Sequence, residues 1–100
     1  MATVVVTKTA QADLDRLIRT HGLPASTRDR VKAALAPLAT FPLLGRALTG
    51  RWAGFRVVLG PWPWMLLVHV FDEAADRVII VTIQDSRSAQ SATSRVSGSR

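Results

Sequence analysis

The chain has 100 residues, of which 48% are hydrophobic and 20% are charged, and its formal net charge is +6. This length fits one domain with one modest core, and the apolar content excludes a chain that is disordered throughout. No cysteine is present, which excludes disulfide scaffolds, thiolate zinc sites and cysteine nucleophiles. The excess of basic residues favours a polyanion or an acidic protein as partner.

The two ends of the sequence bear on localisation and on domain limits. The N-terminal stretch MATVVVTK lacks the basic leader and long apolar segment of an export signal, and no apolar run approaches the roughly 18 residues of a membrane span. We therefore expect a cytoplasmic protein with no membrane partner. Residues 88–100 are rich in serine and arginine, which predicts a C-terminal tail after a single domain over residues 1–87.

The first 22 residues predict one strand and one helix. Residues 3–7 (TVVVT) are short, β-branched and bounded by polar residues, which is typical of a strand. Thr7 or Thr9 is a candidate N-cap for the helix that follows, and Gly22 ends that helix. An apolar stripe at spacings of three and four runs along the helix, formed by Leu14, Leu17 and Ile18.

A second amphipathic helix is predicted after Pro24. Ser26 and Asp29 have the spacing of a capping box, and apolar residues follow at helical spacing up to Leu38. Pro37 interrupts this pattern, because an interior proline costs about 3 kcal/mol. The second helix is therefore expected either to kink or to end and resume before residues 41–42.

The second half changes to a period of two and predicts three strands, over residues 55–59, 64–71 and 77–83. The polar residues 72–76 between the last two strands have the length of a hairpin loop, so these strands are expected to pair antiparallel. The order β-α-α-β-β-β predicts an α+β domain in which a two-helix hairpin packs on a small antiparallel sheet and leaves the other sheet face open.

Alternation along residues 64–71 predicts which side chains face the helices. Three are expected to do so: Leu66, Val68 and Val70. The others are expected on the open face, together with two residues of the preceding strand: Met65, Leu67, His69, Phe71, Arg56 and Val58.

Several short stretches, weak alone, carry a family resemblance through their order and spacing. They are Ala12-Asp13-Leu14, Leu35 and Leu38 before Phe41-Pro42, Leu48-Thr49-Gly50 leading into Gly54-Phe55-Arg56, Val70-Phe71-Asp72, and Ile83-Gln84-Asp85-Ser86-Arg87. From residue 4 to about residue 91, the chain resembles the RelE/ParE superfamily, the toxin halves of bacterial type II toxin–antitoxin pairs. The resemblance implies a microbial-ribonuclease-like fold and a growth-inhibiting toxin that a cognate antitoxin neutralises.

The resemblance leaves the mechanism open. It implies messenger RNA cleavage on the ribosome for RelE-like members and action on DNA gyrase for ParE-like members. RNA cleavage by a 2′-hydroxyl needs a proton acceptor, a proton donor and cations beside the phosphate. The resemblance implies Arg56 and Arg87 as those cations, and His69 is the candidate for proton transfer. Met65 and Val58 stand where basic residues are common in the family.

The missing basic residues and the absence of tyrosine favour an alternative, a non-enzymatic gyrase-binding toxin or a catalytically degenerate binding module. Aromatic and Met side chains are typical of interface cores, and four candidates for contacting a protein partner are Trp52, Trp62, Trp64 and Met65. The tryptophans could equally be core residues, and His69 could be a structural histidine. No cofactor or metal is expected. A homodimer and a heterotetramer with the antitoxin are the assemblies to consider.

Overall fold

A mixed sheet of five strands with two helices on one face forms the domain in the computed structural model, which describes residues 1–88. The elements in chain order are β1 Thr3–Val6, α1 Lys8–His21, α2 Thr27–Leu35, β2 Arg46–Ala47, β3 Arg56–Leu59, β4 Met65–Asp72 and β5 Arg77–Asp85. Short 3-10 helices at Ala36–Ala39 and Gly50–Trp52 flank β2. The strand order across the sheet is β1-β5-β4-β3-β2.

The predicted α+β class, with two helices packed on one sheet, is confirmed, but the sheet is not wholly antiparallel. Strand β1 pairs in parallel with β5 at one edge, and β2 adds a fifth strand at the other edge. No hairpin fixes the direction of β1 relative to β5, because the two helices and three strands lie between them in the sequence. With only two residues, β2 is too short to give a recognisable alternation.

Helix α1 begins and ends where the sequence predicts. Thr7 has an extended backbone, and its hydroxyl oxygen accepts the N–H of Ala10 at 3.1 Å. The same hydroxyl donates to the carbonyl of Ile80 at 2.9 Å, which ties the helix start to β5. Gly22 ends the helix with a left-handed φ of 60°. The N-cap therefore also sets the position of α1 over the sheet.

Helix α2 departs from the predicted capping box. Ser26 makes no side-chain capping bond, and the hydroxyl of Thr27 instead donates to the carbonyl of Pro24 at 2.7 Å. The regular helix ends at Leu35, and a 3-10 turn carries Pro37 in its first positions. Of the two predicted alternatives, the structure has the second, in which the helix ends and resumes, because proline is tolerated in a first turn, where its missing N–H has no partner to lose.

The core lies between the helices and the inner face of the sheet, which we define as the face toward α1 and α2. Its buried residues include Leu14, Leu17, Val31, Leu35, Leu38, Met65, Leu67, Val78, Ile80 and Ile83. A smaller cluster covers the outer face, with Leu48, Val57, Leu66 and Val68 buried and Trp52, Phe55 and Val81 packed against them. Each side of the sheet is thus apolar at its centre.

The prediction of which β4 side chains face the helices is therefore wrong, because the two faces are interchanged. Met65 and Leu67 face the helices, whereas Leu66 and Val68 face outward under the segment that carries Leu48. Alternation identifies two sets of side chains but not which set faces the helices when both sets are apolar.

A β-bulge shifts the register between β4 and β5. Val68 pairs with Thr82 and His69 with Ile80, which leaves Val81 without a partner opposite. The extra residue allows Ile80 and Ile83 both to reach the inner core, although they are three positions apart. Within residues 1–88, no helix is long and apolar enough to cross a membrane. The predicted tail lies, from residue 89 onward, outside the described residues.

Candidate functional site

Arg56 and His69 occupy paired positions on β3 and β4, and both hold the loop of residues 40–45. The Arg56 Nη1 donates to the carbonyl of Gly45 at 3.1 Å, and the His69 Nε2 lies 3.0 Å from the carbonyl of Leu44. Because a carbonyl oxygen only accepts, the Nε2 carries the hydrogen and the Nδ1 is left bare. His69 is completely buried, and its Nδ1 has no hydrogen-bond partner among residues 1–88.

The surroundings of His69 favour the neutral imidazole. Burial is the main cause that lowers its pKa below 6.5; the bond to Leu44 acts in the opposite direction, and the charge of Arg56 lowers the pKa further. The side chain is therefore neutral near pH 7 and has no contact with solvent. Burial argues against exchange of a proton with a substrate on the surface.

Arg87 lies near the first residue of β4, whereas His69 lies in the middle of that strand. Its Nε and Nη2 donate to the two carboxylate oxygens of Asp85 at 2.9 and 2.8 Å, and its guanidinium lies 4.8 Å from the centre of the Trp64 ring. Asp85 pairs with Met65, four residues before His69, which is roughly 13 Å along the strand at about 3.3 Å per residue. Arg56 and His69 therefore lie together, and Arg87 does not join them.

The tryptophans fall into two groups. Trp62 and Trp64 pack against the inner core with ring centres 6.3 Å apart, Arg30 lies 4.8 Å from the Trp62 ring, and the His21 ring lies 4.7 Å from Trp64. Trp52 packs on the outer face, away from this group. The tryptophan rings are all half-buried, so each combines a core contact with an accessible edge.

Met65 was predicted to lie on the open face as a candidate partner contact, but the predicted open-face position is wrong. Its side chain is 0% exposed and belongs to the inner core. Residue spacing does not indicate this burial, because Met65 lies in a nearly continuous apolar run.

An exposed apolar surface that the sequence analysis missed lies at the edge of the sheet where β3 extends past the short β2. Phe41 is 61% exposed, Leu43 59% and Leu59 56%, and Leu44 is also exposed. Gly45 brings this loop against Val57 and Val58 of β3, so the loop and Leu59 share one edge. We call Phe41, Leu43, Leu44 and Leu59 the edge patch. The run FPLL, residues 41–44 directly before Gly45, was a readable signal, since it is apolar and fits neither a helix nor a strand.

The ion pair of Arg87 and Asp85 leads to a testable prediction about the pKa of Asp85. Arg87 holds the pKa of Asp85 at about 2, mainly through its side-chain hydrogen bonds, against an ordinary 3.8. This carboxylate therefore contributes stability above about pH 4 that is lost as the pH falls toward 2. Arg87→Gln is expected to raise the pKa of Asp85 toward 3.8, measured by NMR titration of the carboxyl carbon. Arg77→Gln, at the other end of β5, should leave that pKa unchanged, and an unshifted pKa in Arg87→Gln would contradict the assignment.

Comparison with known proteins identifies the class of protein that this small α+β domain represents. The family model of the ParE toxin of the type II toxin–antitoxin system, parDE, matches residues 4–89. The chain therefore belongs to the ParE toxin family and is the toxin of a type II toxin–antitoxin pair, which confirms the predicted resemblance. No curated protein matches it.

Solved structures show the same fold. The toxin–antitoxin complex RelBE2 from Mycobacterium tuberculosis contains a chain that is 27% identical, with a TM-score of 0.56, over 84% of this chain and 96% of that one. A metal-bound toxin from Helicobacter pylori is 22% identical with a TM-score of 0.64, over 85% of this chain and 94% of that one. In the described part of this chain, no three His, Asp or Glu side chains are grouped to hold a metal ion.

Proposed function

We propose that this toxin arrests growth by binding a protein target, DNA gyrase in the ParE manner, and that it does not cleave messenger RNA. The separation of the candidate catalytic residues is the main support. Cleavage needs a proton-transfer group and cations at a single phosphate, within hydrogen-bond reach of the reacting atoms. His69 is buried, Arg56 is hydrogen-bonded to the carbonyl of Gly45, and Arg87 is paired with Asp85 beside the first residue of β4, four residues from His69.

The edge patch supports a binding role. Large apolar side chains grouped on the surface of a small domain are typical of contact surfaces for other proteins. Arg46 is exposed directly after this loop, so a cation borders the apolar patch. Apolar centres with polar or charged rims are the usual composition of protein interfaces. We therefore assign the contact with the target to the edge patch.

A cognate antitoxin is the second partner that we propose. The similar chain from Mycobacterium tuberculosis was solved in a toxin–antitoxin complex, which supports the same kind of partner here. The net charge of +6 favours an acidic segment in that antitoxin, because opposite charge accelerates association and disfavours wrong partners. Co-expression with the neighbouring reading frame is expected to restore growth.

The test is inducible expression of the chain alone and with the neighbouring reading frame, followed by mapping of RNA 5′ ends and a gyrase supercoiling assay. We expect growth arrest, intact messengers and inhibited supercoiling. New messenger ends at ribosomal A-site positions would overturn the proposal and establish RNA cleavage. Arrest with neither new ends nor inhibited supercoiling would exclude gyrase as the target.

Variants of the edge patch provide a sharper prediction. Leu43→Asp and Leu59→Asp each place a charge in the apolar contact, and each is expected to weaken target binding about tenfold or more. Gyrase inhibition and colony counts would measure the loss. Ala74→Asp makes the same charge change in the exposed turn between β4 and β5 and should retain toxicity. Equal toxicity of all three variants would remove the edge patch from the binding surface.

A further inference from the structure

The loop of residues 40–45 is held to the sheet by two side chains. One is Arg56, which donates to the carbonyl of Gly45, and the other is His69, which donates to the carbonyl of Leu44. The loop's own apolar side chains point to solvent, with Phe41 61% and Leu43 59% exposed, so they contribute little packing that would hold it in place. We infer that His69 is a proton-sensitive latch: the neutral imidazole holds the loop closed, and protonation releases it.

The geometry around the second ring nitrogen is the main argument. The Nδ1 of His69 is buried and has no partner among the described residues, so a proton added there would meet no acceptor. Three neighbours define its surroundings: Arg56 opposite on β3, Ile80 opposite on β5, and Leu44 from the loop. Only Arg56 of these is charged, and its charge is of the same sign as an imidazolium. A protonated ring in the closed state is therefore both desolvated and repelled.

Opening the loop would relieve both effects. An imidazole that reaches water is solvated, and its pKa returns toward the ordinary value of about 6.5. Burial lowers the pKa of His69 in the closed state, so the open state binds the proton more tightly. Linkage then requires the open fraction to rise as the pH falls below about 6.5, by up to tenfold per pH unit, until the closed-state pKa is reached. Above about pH 6.5 the loop is expected to stay closed.

The consequence is control of the edge patch by pH. Phe41, Leu43 and Leu44 belong both to this loop and to the patch, and Leu59 does not. A released loop would disperse three of the four apolar side chains while the sheet stays folded. The latch is a property of the isolated chain, so it stands or falls independently of the target that we propose.

Amide hydrogen exchange of the full chain between about pH 5 and 7.5 tests the latch, with rates corrected for the intrinsic pH dependence. The Leu44 N–H donates to the carbonyl of Phe41 at 3.0 Å and reports the closed loop. We expect its protection to fall about tenfold per pH unit below about 6.5, while amides in the β4–β5 pairing keep theirs. Constant protection of the loop across this range would overturn the inference.

Two variants separate the proton from the hydrogen bond. His69→Gln retains a neutral N–H donor at a similar reach but cannot be protonated in this range, so its loop is expected to stay protected at every pH. His69→Leu introduces an apolar side chain that lacks the donor, so the loop amides should exchange fast at every pH. The same pH dependence in His69→Gln as in the wild type would assign the effect to another group.

A spectroscopic measurement decides the matter if His69→Gln does not fold. Nitrogen NMR of the wild-type imidazole is expected to show the hydrogen on Nε2 at pH 7 and ring protonation with the same midpoint as the change in the Leu44 amide. A loop that opens while the ring stays neutral would overturn the inference as firmly as a pH-independent loop.

Discussion

Gly45→Ala is expected to destabilise the domain by roughly 3 kcal/mol or more and to detach the loop from β3. Gly45 has a φ of 100°, in the region that L side chains rarely adopt. An added Cβ would also overlap the carbonyl oxygen of Val57 and lie 2.8 Å from the Cγ1 of Val58. Two costs therefore add at this position, one from the backbone conformation and one from the contact with β3, which has to move.

Gly54 offers a matched control because it has a φ of 94° and nothing within 4 Å of an added Cβ. Gly54→Ala is expected to cost only the conformational part, about 1–2 kcal/mol. Thermal unfolding of both variants measures the difference, with about 4–8 °C expected per kcal/mol for a domain of this size. Equal melting temperatures would show that the close approach of the loop to β3 contributes nothing to stability.

The Gly45 variant also bears on the edge patch. The carbonyl of Gly45 accepts the hydrogen bond of Arg56, so displacement of Gly45 removes one of the two anchors of the loop. Fast exchange of the Leu44 amide at neutral pH is therefore expected in Gly45→Ala, without any change in the protonation of His69. This outcome separates loop release by strain from loop release by a proton.

Local signals in the sequence were sufficient for most of the secondary structure. Thr7 and Gly22 delimit α1 because capping and a left-handed residue act over one turn, independently of the rest of the fold. Pro37 likewise stops α2 through its own geometry. Strands β3, β4 and β5 were predicted to within two residues at each end, since their alternation is long enough to be read.

The sequence could not supply what depends on distant contacts. Which alternating set of β4 side chains faces inward depends on which apolar face the helices cover. The parallel pairing of β1 with β5 depends on the whole intervening chain. The bulge at Val81 is a property of the β4–β5 pairing and has no marker such as glycine. For the same reason, the burial of His69 and its separation from Arg87 could not be read from residue spacing.

Asp13 belongs to a weak sequence motif and makes a long-range contact with β5. It lies within the stretch Ala12-Asp13-Leu14 that carried part of the family resemblance, and its side chain is almost completely buried. One carboxylate oxygen accepts both the hydroxyl of Thr82 and the backbone N–H of Ile83, the latter at 3.3 Å. The other oxygen accepts from Arg16 at 3.0 Å. A single side chain thus joins α1 to β5, just beyond the bulge.

Asp13→Ala is therefore expected to destabilise the domain by roughly 2–4 kcal/mol, because the Ile83 N–H and the Thr82 hydroxyl lose their acceptor. Denaturant unfolding would measure the loss as a lower midpoint at an unchanged slope. Asp13→Asn retains one acceptor oxygen, so its free energy of unfolding should lie between that of Asp13→Ala and that of the wild type.

Asp15 provides the control on the same helix, because its carboxylate is exposed and pairs with Arg28 on the surface. Asp15→Ala should cost no more than about 0.5 kcal/mol, the usual value of an exposed pair. A similar loss in Asp13→Ala and Asp15→Ala would mean that removal of negative charge from α1, in a chain that already carries +6, matters more than the contact with β5. A large loss in Asp13→Ala alone would assign the stability to the hydrogen bonds that fix α1 on the sheet.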